Sequence, residues 1–422
     1  MKIIFLLISI YILISLDSIL ASGIVSRVGV RLFLYENYLT NELVSAKSLR
    51  LQLSMSDILN SGFNFKINFR NGFDSYRTRV SRSKLYDLSI SNNSLWGNLG
   101  FTFGRINSSI VGAYGMLDGI SLKYRQSENY SFGMFFGMEP DIYTFKPDDK
   151  IKRLGLFMQT NYLNRYQGNV SLIQQTYLND LDRVFLYFDN FIEISEHWSF
   201  NQSAELDLVE KPEDKVVGGI TLTNIFADVR FSPNRNFNIT ANYHIHQDYK
   251  LLESMYDIPD SLFESAVGQS YGIRTNIRPF STWRIYGSFR YGLRDDETGS
   301  ETFSSIGLSN HNLFNSRTFL NMRYSQNNGY YAKSNSMFIS AEHSIIKNLR
   351  ASLGYHFNNL DVYTLTTSTD SHTLDMTFSY NFPEGFFIYL RGIRTFGDIR
   401  NDSRMLVEFN YRFRSYTKKV KH

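Results

Sequence analysis

The sequence predicts an all-β chain, folded as a transmembrane antiparallel up-and-down β-barrel. Three observations favour this fold class: hydrophobicity alternates with a period of two residues, the alternating segments are about ten residues long, and short and long connections alternate between them. The chain has 422 residues, of which 16% are aromatic, with 7 Pro and no Cys. A single barrel can accommodate a chain of this length, because barrels routinely exceed the size of an average domain.

The alternation is clearest in four segments of the chain. In the first of them, Phe63, Phe65 and Ile67 are separated by Asn64 and Lys66. Successive side chains of a strand point to opposite faces of a sheet, so this pattern predicts strands with one apolar and one polar face. No stretch with a comparable period of 3.6 residues follows the N-terminus. The four segments are 63–70, 283–292, 349–358 and 374–382.

Strand length separates a soluble sheet from a membrane barrel. Soluble strands average about five or six residues, whereas a tilted strand needs roughly 9–11 residues to cross a bilayer. The pattern of short periplasmic turns opposite longer external loops predicts about 22 strands, within a range of about 18–22, and places both termini on the periplasmic side. The predicted tight turns are 127–129, 164–165, 233–235, 347–348 and 383–385, and the longer connections lie near 139–150, 210–217, 249–264, 294–300, 362–370 and 396–402.

The N-terminus has the pattern of a sorting signal. Lys2 precedes an almost wholly apolar stretch over 3–16, and small residues follow at Ala21, Ser22 and Gly23. This predicts a signal peptide over residues 1–21, cleaved between 21 and 23, and therefore an exported protein. An uncleaved anchor helix is the alternative, but the apolar stretch is short for a membrane span. The predicted organisation is a single barrel over 24–413 and a basic C-terminal tail over 414–422.

The last predicted strand carries an aromatic pattern close to the C-terminus, formed by Met405, Val407, Phe409, Tyr411 and Phe413. With this strand, the chain resembles the Gram-negative outer-membrane β-barrel class, and more loosely its porin-like members. The resemblance implies an outer-membrane location, contact with membrane lipid and lipopolysaccharide, and insertion by the barrel-assembly machinery. Members usually end at the terminal aromatic residue, whereas this chain continues through 414–422. No subfamily is assigned.

Composition and motifs exclude several functional classes. The absence of Cys excludes disulfides, thiolate metal sites and a Cys nucleophile. A net charge of +4 is too small in a chain of this length to indicate a nucleic-acid partner. His311 and His343 lie near Ser309 and Ser344 in the sequence, but adjacency is not a catalytic triad, and there is no G-x-S-x-G motif. We therefore expect no enzymatic activity and no cofactor.

The polar face of the predicted strands carries more cations than acids. A cationic wall lowers the energy of anions in a pore, which leads to the hypothesis of an anion-selective lining. The alternative is that these cations pair across strands with neighbouring acids and only brace the wall. The candidate cations are Arg31, Arg50, Lys66, Arg70, Lys123, Arg125, Arg274, Arg278, Arg284, Arg290, Arg323, Arg350, Arg391 and Arg412; the acids on the same faces are Asp87, Glu205, Asp207, Asp248, Glu342, Asp375 and Glu408.

Two weaker candidates involve metal ions. His244, His246 and Asp248 alternate along one predicted strand, and imidazole and carboxylate are ligands for transition metals. Side chains at i and i+2 lie about 7 Å apart, so ordinary pore lining is the stronger interpretation. Acids in the loops would bind divalent cations that bridge lipopolysaccharide, or would simply be solvated. These acids are Glu210, Glu213, Asp214, Asp257, Asp260, Asp295, Asp296 and Glu297.

The function that the sequence favours is a porin-like channel for passive diffusion of small solutes, with anion selectivity as a hypothesis. The alternative is a non-conducting barrel, a scaffold or export component that docks a periplasmic partner in or at its lumen. Bulky residues on the inferred lumen faces support this alternative, because they would fill the interior. An external adhesin is a third class, and the short loops count against it. The bulky residues are Phe33, Phe185, Phe319, Phe387 and Tyr389.

Overall fold

The computed structural model describes residues 21–37, 42–72, 83–108, 115–141, 144–163, 165–210, 217–247, 267–295, 299–364, 368–398 and 400–416. Residues 1–20 of the predicted signal peptide and 417–422 of the predicted tail lie outside these ranges. The described residues form one sheet of 22 strands. None of the described segments forms a helix that is long and apolar enough to cross a membrane.

The strands follow one another along the chain with these bounds: β1 (Ala21–Asn37), β2 (Glu42–Ile58), β3 (Phe63–Gly72), β4 (Ser83–Trp96), β5 (Leu99–Asn107), β6 (Met116–Arg125), β7 (Tyr130–Met138), β8 (Ile151–Tyr162), β9 (Tyr166–Tyr177), β10 (Asp180–Glu193), β11 (Trp198–Glu210), β12 (Val217–Asn234), β13 (Phe237–Gln247), β14 (Val267–Ile277), β15 (Trp283–Arg294), β16 (Ser300–Leu313), β17 (Thr318–Asn328), β18 (Ala332–Ile346), β19 (Leu349–Val362), β20 (Ser368–Asn381), β21 (Phe386–Gly397) and β22 (Asp402–Tyr416).

Each strand pairs antiparallel with its neighbours in the sequence, and β1 pairs antiparallel with β22 to close the barrel. The closing pair runs from Gly23 opposite Tyr416 to Tyr35 opposite Arg404, so β22 continues to Tyr416. Lipid offers no hydrogen bonds to the backbone, and closure leaves no unpaired strand edge. The predicted fold class, an all-β up-and-down barrel of about 22 strands, is confirmed.

The two faces of the wall differ as the alternation predicts. On β9, Asn169 and Ile173 are 5% and 0% exposed, whereas Val170 and Leu172, which point the other way, are 39% and 42% exposed. The second face carries large apolar side chains all around the barrel and is its exterior, and the first face lines the lumen. Exposed apolar side chains of this kind suit a lipid environment and would be unfavourable in water.

Aromatic side chains gather on the exterior at both ends of the strands. We call the end that holds Ala21 and Tyr416 the periplasmic end, following the topology predicted above, and the opposite end the external end. Near the periplasmic end, the rings of Trp198 and Phe231 lie 4.5 Å apart between centroids. Near the external end, the rings of His372 and Phe396 stack at 5.1 Å. Aromatic belts of this kind occupy the lipid–water boundaries of membrane barrels.

The connections between strands are short at the periplasmic end and longer at the external end, as predicted, with two exceptions. All the predicted tight turns join strands at the periplasmic end, and all the predicted longer connections lie at the external end. However, the external connections 178–179, between β9 and β10, and 329–331, between β17 and β18, are also short. Leu178 and Asn179 have φ values of 51° and 75°, as a type I′ hairpin turn requires. This turn lacks Gly and Pro, so it carries no strong turn signal.

One part of the lumen wall carries a packed inner layer. Its members are nearly inaccessible, from 0% to 4% exposed, and they come from five consecutive strands, β6 to β10. Phe135 of β7 and Phe157 of β8 have stacked rings with centroids 6.5 Å apart, and each ring covers a glycine of the other strand, Gly155 and Gly133 respectively. The glycines therefore provide the space that the rings occupy. The inner layer consists of Leu117, Phe135, Phe157, Ile173 and Phe185.

Replacing Gly133 by Ala is expected to lower the free energy of unfolding by about 1–3 kcal/mol, the usual cost of overpacking. A Cβ atom at this position would lie 2.3 Å from Cζ of Phe157 and 2.3 Å from the backbone oxygen of Leu122, which cannot move aside freely. Urea unfolding of the barrel in lipid vesicles measures the effect. Gly392→Ala is the matched control, because a Cβ atom there meets nothing within 4 Å. Equal unfolding midpoints for the two variants would contradict the close packing.

Candidate functional site

The predicted cations lie on the lumen face of the barrel. Arg50 of β2 pairs with Gly29 of β1 and Arg70 of β3, and Arg391 of β21 shares its face with Asp375 of β20. Arg278 directly follows β14, in the periplasmic connection to β15. The cations within strands on the lumen face are Arg31, Arg50, Lys66, Arg70, Lys123, Arg125, Arg274, Arg284, Arg290, Arg323, Arg350, Arg391 and Arg412.

Four of these cations form ion pairs, as the bracing alternative expects. The N–O distances are 2.8 Å for Arg31–Glu408, 2.7 Å for Arg290–Glu301 and 3.6 Å for Arg350–Glu342, and Arg391 forms a short pair with Asp375. The arginine side chains of these pairs are 40% to 55% exposed. Ion pairs in this environment contribute about 0–1 kcal/mol each, so they brace the wall only weakly.

Other cations lie directly opposite one another on neighbouring strands. Arg412 of β22 pairs with Arg27 of β1, Arg50 pairs with Arg70, and Arg70 pairs in turn with Lys84 of β4. We call these five residues the basic row. Like charges directly opposite each other destabilise a sheet. Arg27 is 3.5 Å from Glu408, but the ion pairs among the described residues include none of the other four members.

A buried polar network lies above the inner layer, toward the external end. Arg153 of β8 forms an ion pair of 2.5 Å with Glu139 and donates a hydrogen bond of 2.9 Å to Gln175 of β9. Gln175 donates in turn to Asp182 of β10 at 2.6 Å. Burial raises the pKa of Glu139, which lies just beyond the end of β7, and the charge of Arg153 opposes this rise. The network joins three strands and the β7–β8 connection.

The next part of this network is a buried triad. Arg183 of β10 donates hydrogen bonds of 2.7 Å to both Asp207 and Glu205 of β11. Thr223 of β12 donates to Asp207 at 3.0 Å, and the guanidinium carbon of Arg183 lies 4.1 Å from the centre of the Phe185 ring. Side-chain exposure within the triad is only 2% to 7%. These groups fix the wall and are not free to bind a solute.

Sequence reasoning identified Glu205 and Asp207 but missed Arg153, Arg183 and Glu139. The strands β7 and β8 carry large apolar residues on both faces, such as Phe135 and Phe136, so their period-two signal is weak. Arg27 and Lys84, in the basic row, were also missed. Register was an available signal for Arg27, which lies on the same face of β1 as the predicted cation Arg31. It was not one for Lys84, which is three residues from Asp87 and reaches the lumen face only because the register of β3 with β4 shifts between Asn68 and Phe69.

Exposure divides the lumen into a filled and an open part. The side chains of Arg153 and Arg183, on β8 and β10, are 5% and 6% exposed. Those of Arg290 and Arg350, on β15 and β19, are 51% and 55% exposed. Charged side chains on the second part of the wall therefore face water, so a solvated space runs along this side of the described barrel.

The weak metal candidate is only partly described. His244 and His246 lie on the lumen face of β13, with ring centroids 6.1 Å apart, and Asp248 lies outside the described residues. Within the described ranges, no group of three or more His, Cys, Asp or Glu side chains could hold a metal ion. Of the loop acids, Asp295 accepts a hydrogen bond of 2.7 Å from the backbone N–H of Val267. Outside the described residues lie Glu213, Asp214, Asp257, Asp260, Asp296, Glu297 and the side chain of Glu210.

The serine–histidine pairs considered above do not come together as a catalytic group. The Nδ1 atom of His343 shares a hydrogen bond of 2.9 Å with the hydroxyl of Thr318, its neighbour on β17. The ring of His311 stacks on Phe319 at 5.3 Å between centroids. Both histidines therefore have contacts that a structural role explains.

No protein-family model matches the chain, and no curated protein matches it. Solved structures with a similar course of the chain include OpdQ of Pseudomonas aeruginosa, 9% identical, with 93% of this chain and 99% of that chain covered and a TM-score of 0.46. OccAB4 of Acinetobacter baumannii is 9% identical, with 94% and 100% covered and a TM-score of 0.47. OccK1 (OpdK) of P. aeruginosa is 9% identical, with 94% and 100% covered and a TM-score of 0.48. Similarity at this level does not identify a solute.

The architecture itself determines the broad class. Only helices and closed barrels satisfy the backbone in lipid, and this chain forms a closed barrel with an apolar exterior and a polar lumen. Its described residues therefore form a closed β-barrel that spans a membrane and encloses a polar lumen.

Proposed function

We propose that this barrel is a channel for passive diffusion of small solutes and that its lumen favours anions. The observation that carries the proposal is the basic row, in which Arg50 lies directly opposite Arg70, and Arg70 directly opposite Lys84. Bracing does not account for such pairs, because placing like charges opposite each other costs stability. The same positive potential lowers the electrostatic energy of an anion that passes the wall.

The open part of the lumen supports conduction. The half-exposed side chains of Arg290 and Arg350 face water along β15 and β19. A barrel of 22 strands is wide enough to leave a channel beside a packed inner layer, since barrel diameter grows with strand number. The channel would therefore run off-centre beside the inner layer, along β15 to β19 and past the basic row on β22 and β1 to β4. No catalytic step and no cofactor are part of this proposal.

A non-conducting barrel that docks a periplasmic partner is the second candidate. The inner layer supports it, because Phe185 and its neighbours already fill part of the lumen. Phe33, Phe319, Phe387 and Tyr389 also lie on lumen faces, and Phe387 stacks against Tyr389 with 6.3 Å between ring centroids. A partner of this kind would close the remaining space from the periplasmic end.

Contacts with the membrane and its assembly system follow from the exterior. Met405 and Phe409 of β22 are 45% and 50% exposed on the outer face, which leaves this last strand available to membrane lipid. We propose that the barrel-assembly machinery reads this strand and that lipopolysaccharide surrounds the external end. The exposed apolar face of β22 is what supports both contacts.

Single-channel recording of the folded, signal-free barrel in a planar bilayer tests the channel proposal. We expect stable ohmic steps, with a reversal potential in a KCl gradient that indicates preference for chloride, because the basic row raises the local anion concentration. A preference for potassium would overturn anion selectivity. Silence from a barrel that is folded by circular dichroism and by heat-dependent gel migration would favour the docking alternative.

A further inference from the structure

A recess of about 590 Å³ opens in the lumen wall near the periplasmic end, below the inner layer. It is formed by β6 to β11 and by the turn that joins β6 to β7. Its volume lies within the range of about 300–1,000 Å³ that is typical of small-molecule sites. We call it the amide recess, because its lining includes the amide side chains of Asn129, Gln159, Asn161, Gln167, Asn169 and Asn201.

Strand register places polar side chains of the recess in one row across the wall. Each member lies directly opposite the next on the neighbouring strand, so the row presents amide, hydroxyl and charged groups at a single height. Neighbouring strands are about 4.8 Å apart, so the groups are spaced for a ligand that has several polar atoms. The row consists of Arg125, Ser131, Gln159, Asn169 and Asp189.

Two acceptor atoms in this row are unsatisfied. Asn169 is 5% exposed, and its Oδ1 atom finds no hydrogen-bond partner among the described residues. The Oδ1 atom of Asp189, directly opposite on β10, is also buried and unpaired, although the Asn169 side chain donates a hydrogen bond to the Asp189 carboxylate. Leaving a buried acceptor unpaired costs about 1–3 kcal/mol, so both atoms favour a ligand that donates hydrogen bonds.

The charges in the recess balance and do not form an anion site. The cations Lys123 and Arg125 are matched by Glu128 and Asp189. In addition, the Nζ atom of Lys123 donates a hydrogen bond of 2.8 Å to Oε1 of Gln159. The ammonium group of Lys123 therefore already has a hydrogen-bond partner within the wall. The recess therefore differs from the basic row, which carries an excess of positive charge.

The remaining chemistry matches a compound rich in hydroxyl groups. An amide both donates and accepts hydrogen bonds, as a hydroxyl group does. Phe191 adds an exposed aromatic ring to the lining, on which the C–H groups of a sugar ring can pack. We propose that the amide recess binds a neutral polyhydroxylated solute of monosaccharide or disaccharide size. This goes beyond the proposed channel by naming a solute class for one part of the lumen.

Equilibrium binding tests the recess without relying on conduction. Glucose and sucrose are titrated into the folded full barrel in an amine-oxide detergent, which carries no sugar headgroup, and binding is followed by calorimetry and saturation-transfer NMR. We expect saturable binding of at least one sugar, and weaker binding of gluconate, because the recess has no excess positive charge. Absence of saturable sugar binding, or tighter binding of gluconate than of glucose, would overturn the proposal.

Substitutions of asparagines in the lining test whether the sugar binds in the amide recess. Asn169→Ala and Asn201→Ala are each expected to weaken sugar binding about tenfold, the effect of losing one or two hydrogen bonds. Asn201 is exposed, so its replacement leaves the fold intact even if Asn169→Ala impairs folding. Asn358→Ala is the matched control, since Asn358 lies on the lumen face of β19, away from the recess. Equal weakening by all three variants would contradict the assignment.

Channel recordings separate the two proposals. Sugar binding by a barrel that does not conduct would refute the channel and leave the recess supported. Conduction without sugar binding would support the channel and refute the recess.

Discussion

Replacing Arg50 and Arg70 by Gln is expected to reduce the preference of the channel for anions about threefold. At about 7 Å in water, one charge contributes about 0.6 kcal/mol to the energy of a passing ion, and two charges contribute about 1.2 kcal/mol. Salt at about 0.1 M screens part of this contribution. The reversal potential in a KCl gradient measures the change directly.

The same double variant also separates selectivity from bracing. Arg50 and Arg70 lie directly opposite each other, and none of the ion pairs among the described residues includes either of them. Removal of like charges is therefore expected to leave the urea midpoint unchanged or to raise it. A bracing role predicts a lower midpoint and an unchanged reversal potential, so this combination of results would refute the selective wall.

Arg394→Gln is the matched control for this experiment. Arg394 lies opposite Leu374 on the outer face of β21, and it donates hydrogen bonds to Ser403 and Asn401. The substitution is chemically the same as at Arg50, but it removes a charge outside the lumen. We expect no change in reversal potential. An equal shift in this variant would show that selectivity follows net charge alone.

The sequence predicted the fold well because most of the barrel has one wet and one lipid-facing surface. On β3 and β15, every second residue is apolar, so the pattern assigned Lys66 and Arg290 to the lumen face where the structure has them. Signals from single strands are sufficient for this purpose, since the period-two pattern needs no knowledge of the neighbouring strand.

The packed part of the lumen could not be predicted in the same way. Phe157 lies on the lumen face of β8 and Met158 on the exterior, and both are large and apolar, so hydropathy does not distinguish the faces. The position of Phe157 depends on Gly133, a residue of another strand. The amide recess likewise depends on the combined register of six strands, β6 to β11, which brings Arg125 and Asn201 to the same part of the lumen wall.

Replacing Arg183 by Met is expected to lower the free energy of unfolding by about 3–5 kcal/mol, because it removes one partner of a buried ion pair. Asp207 and Glu205 are 1% and 5% exposed, so the variant would leave two carboxylates buried without their cation. Met keeps the apolar stem of the side chain but not the guanidinium that lies over the Phe185 ring, so the loss comprises the charge, its hydrogen bonds and this ring contact. Urea unfolding in phospholipid vesicles, followed by gel migration, measures the loss.

Two further variants serve as controls: a compensated triple variant, which also neutralises the two carboxylates of the triad, and a variant that breaks a solvent-exposed ion pair. Combining Arg183→Met with Glu205→Gln and Asp207→Asn removes the stranded charges, so we expect it to recover most of the lost stability. Arg290→Met removes an ion pair whose arginine side chain is 51% exposed, and we expect a loss below about 1 kcal/mol. If Arg183→Met costs no more than Arg290→Met, water must reach the triad, and the filled part of the lumen would then be open to solutes. A large loss that the compensated variant restores would show that the triad is dry and holds β10 against β11.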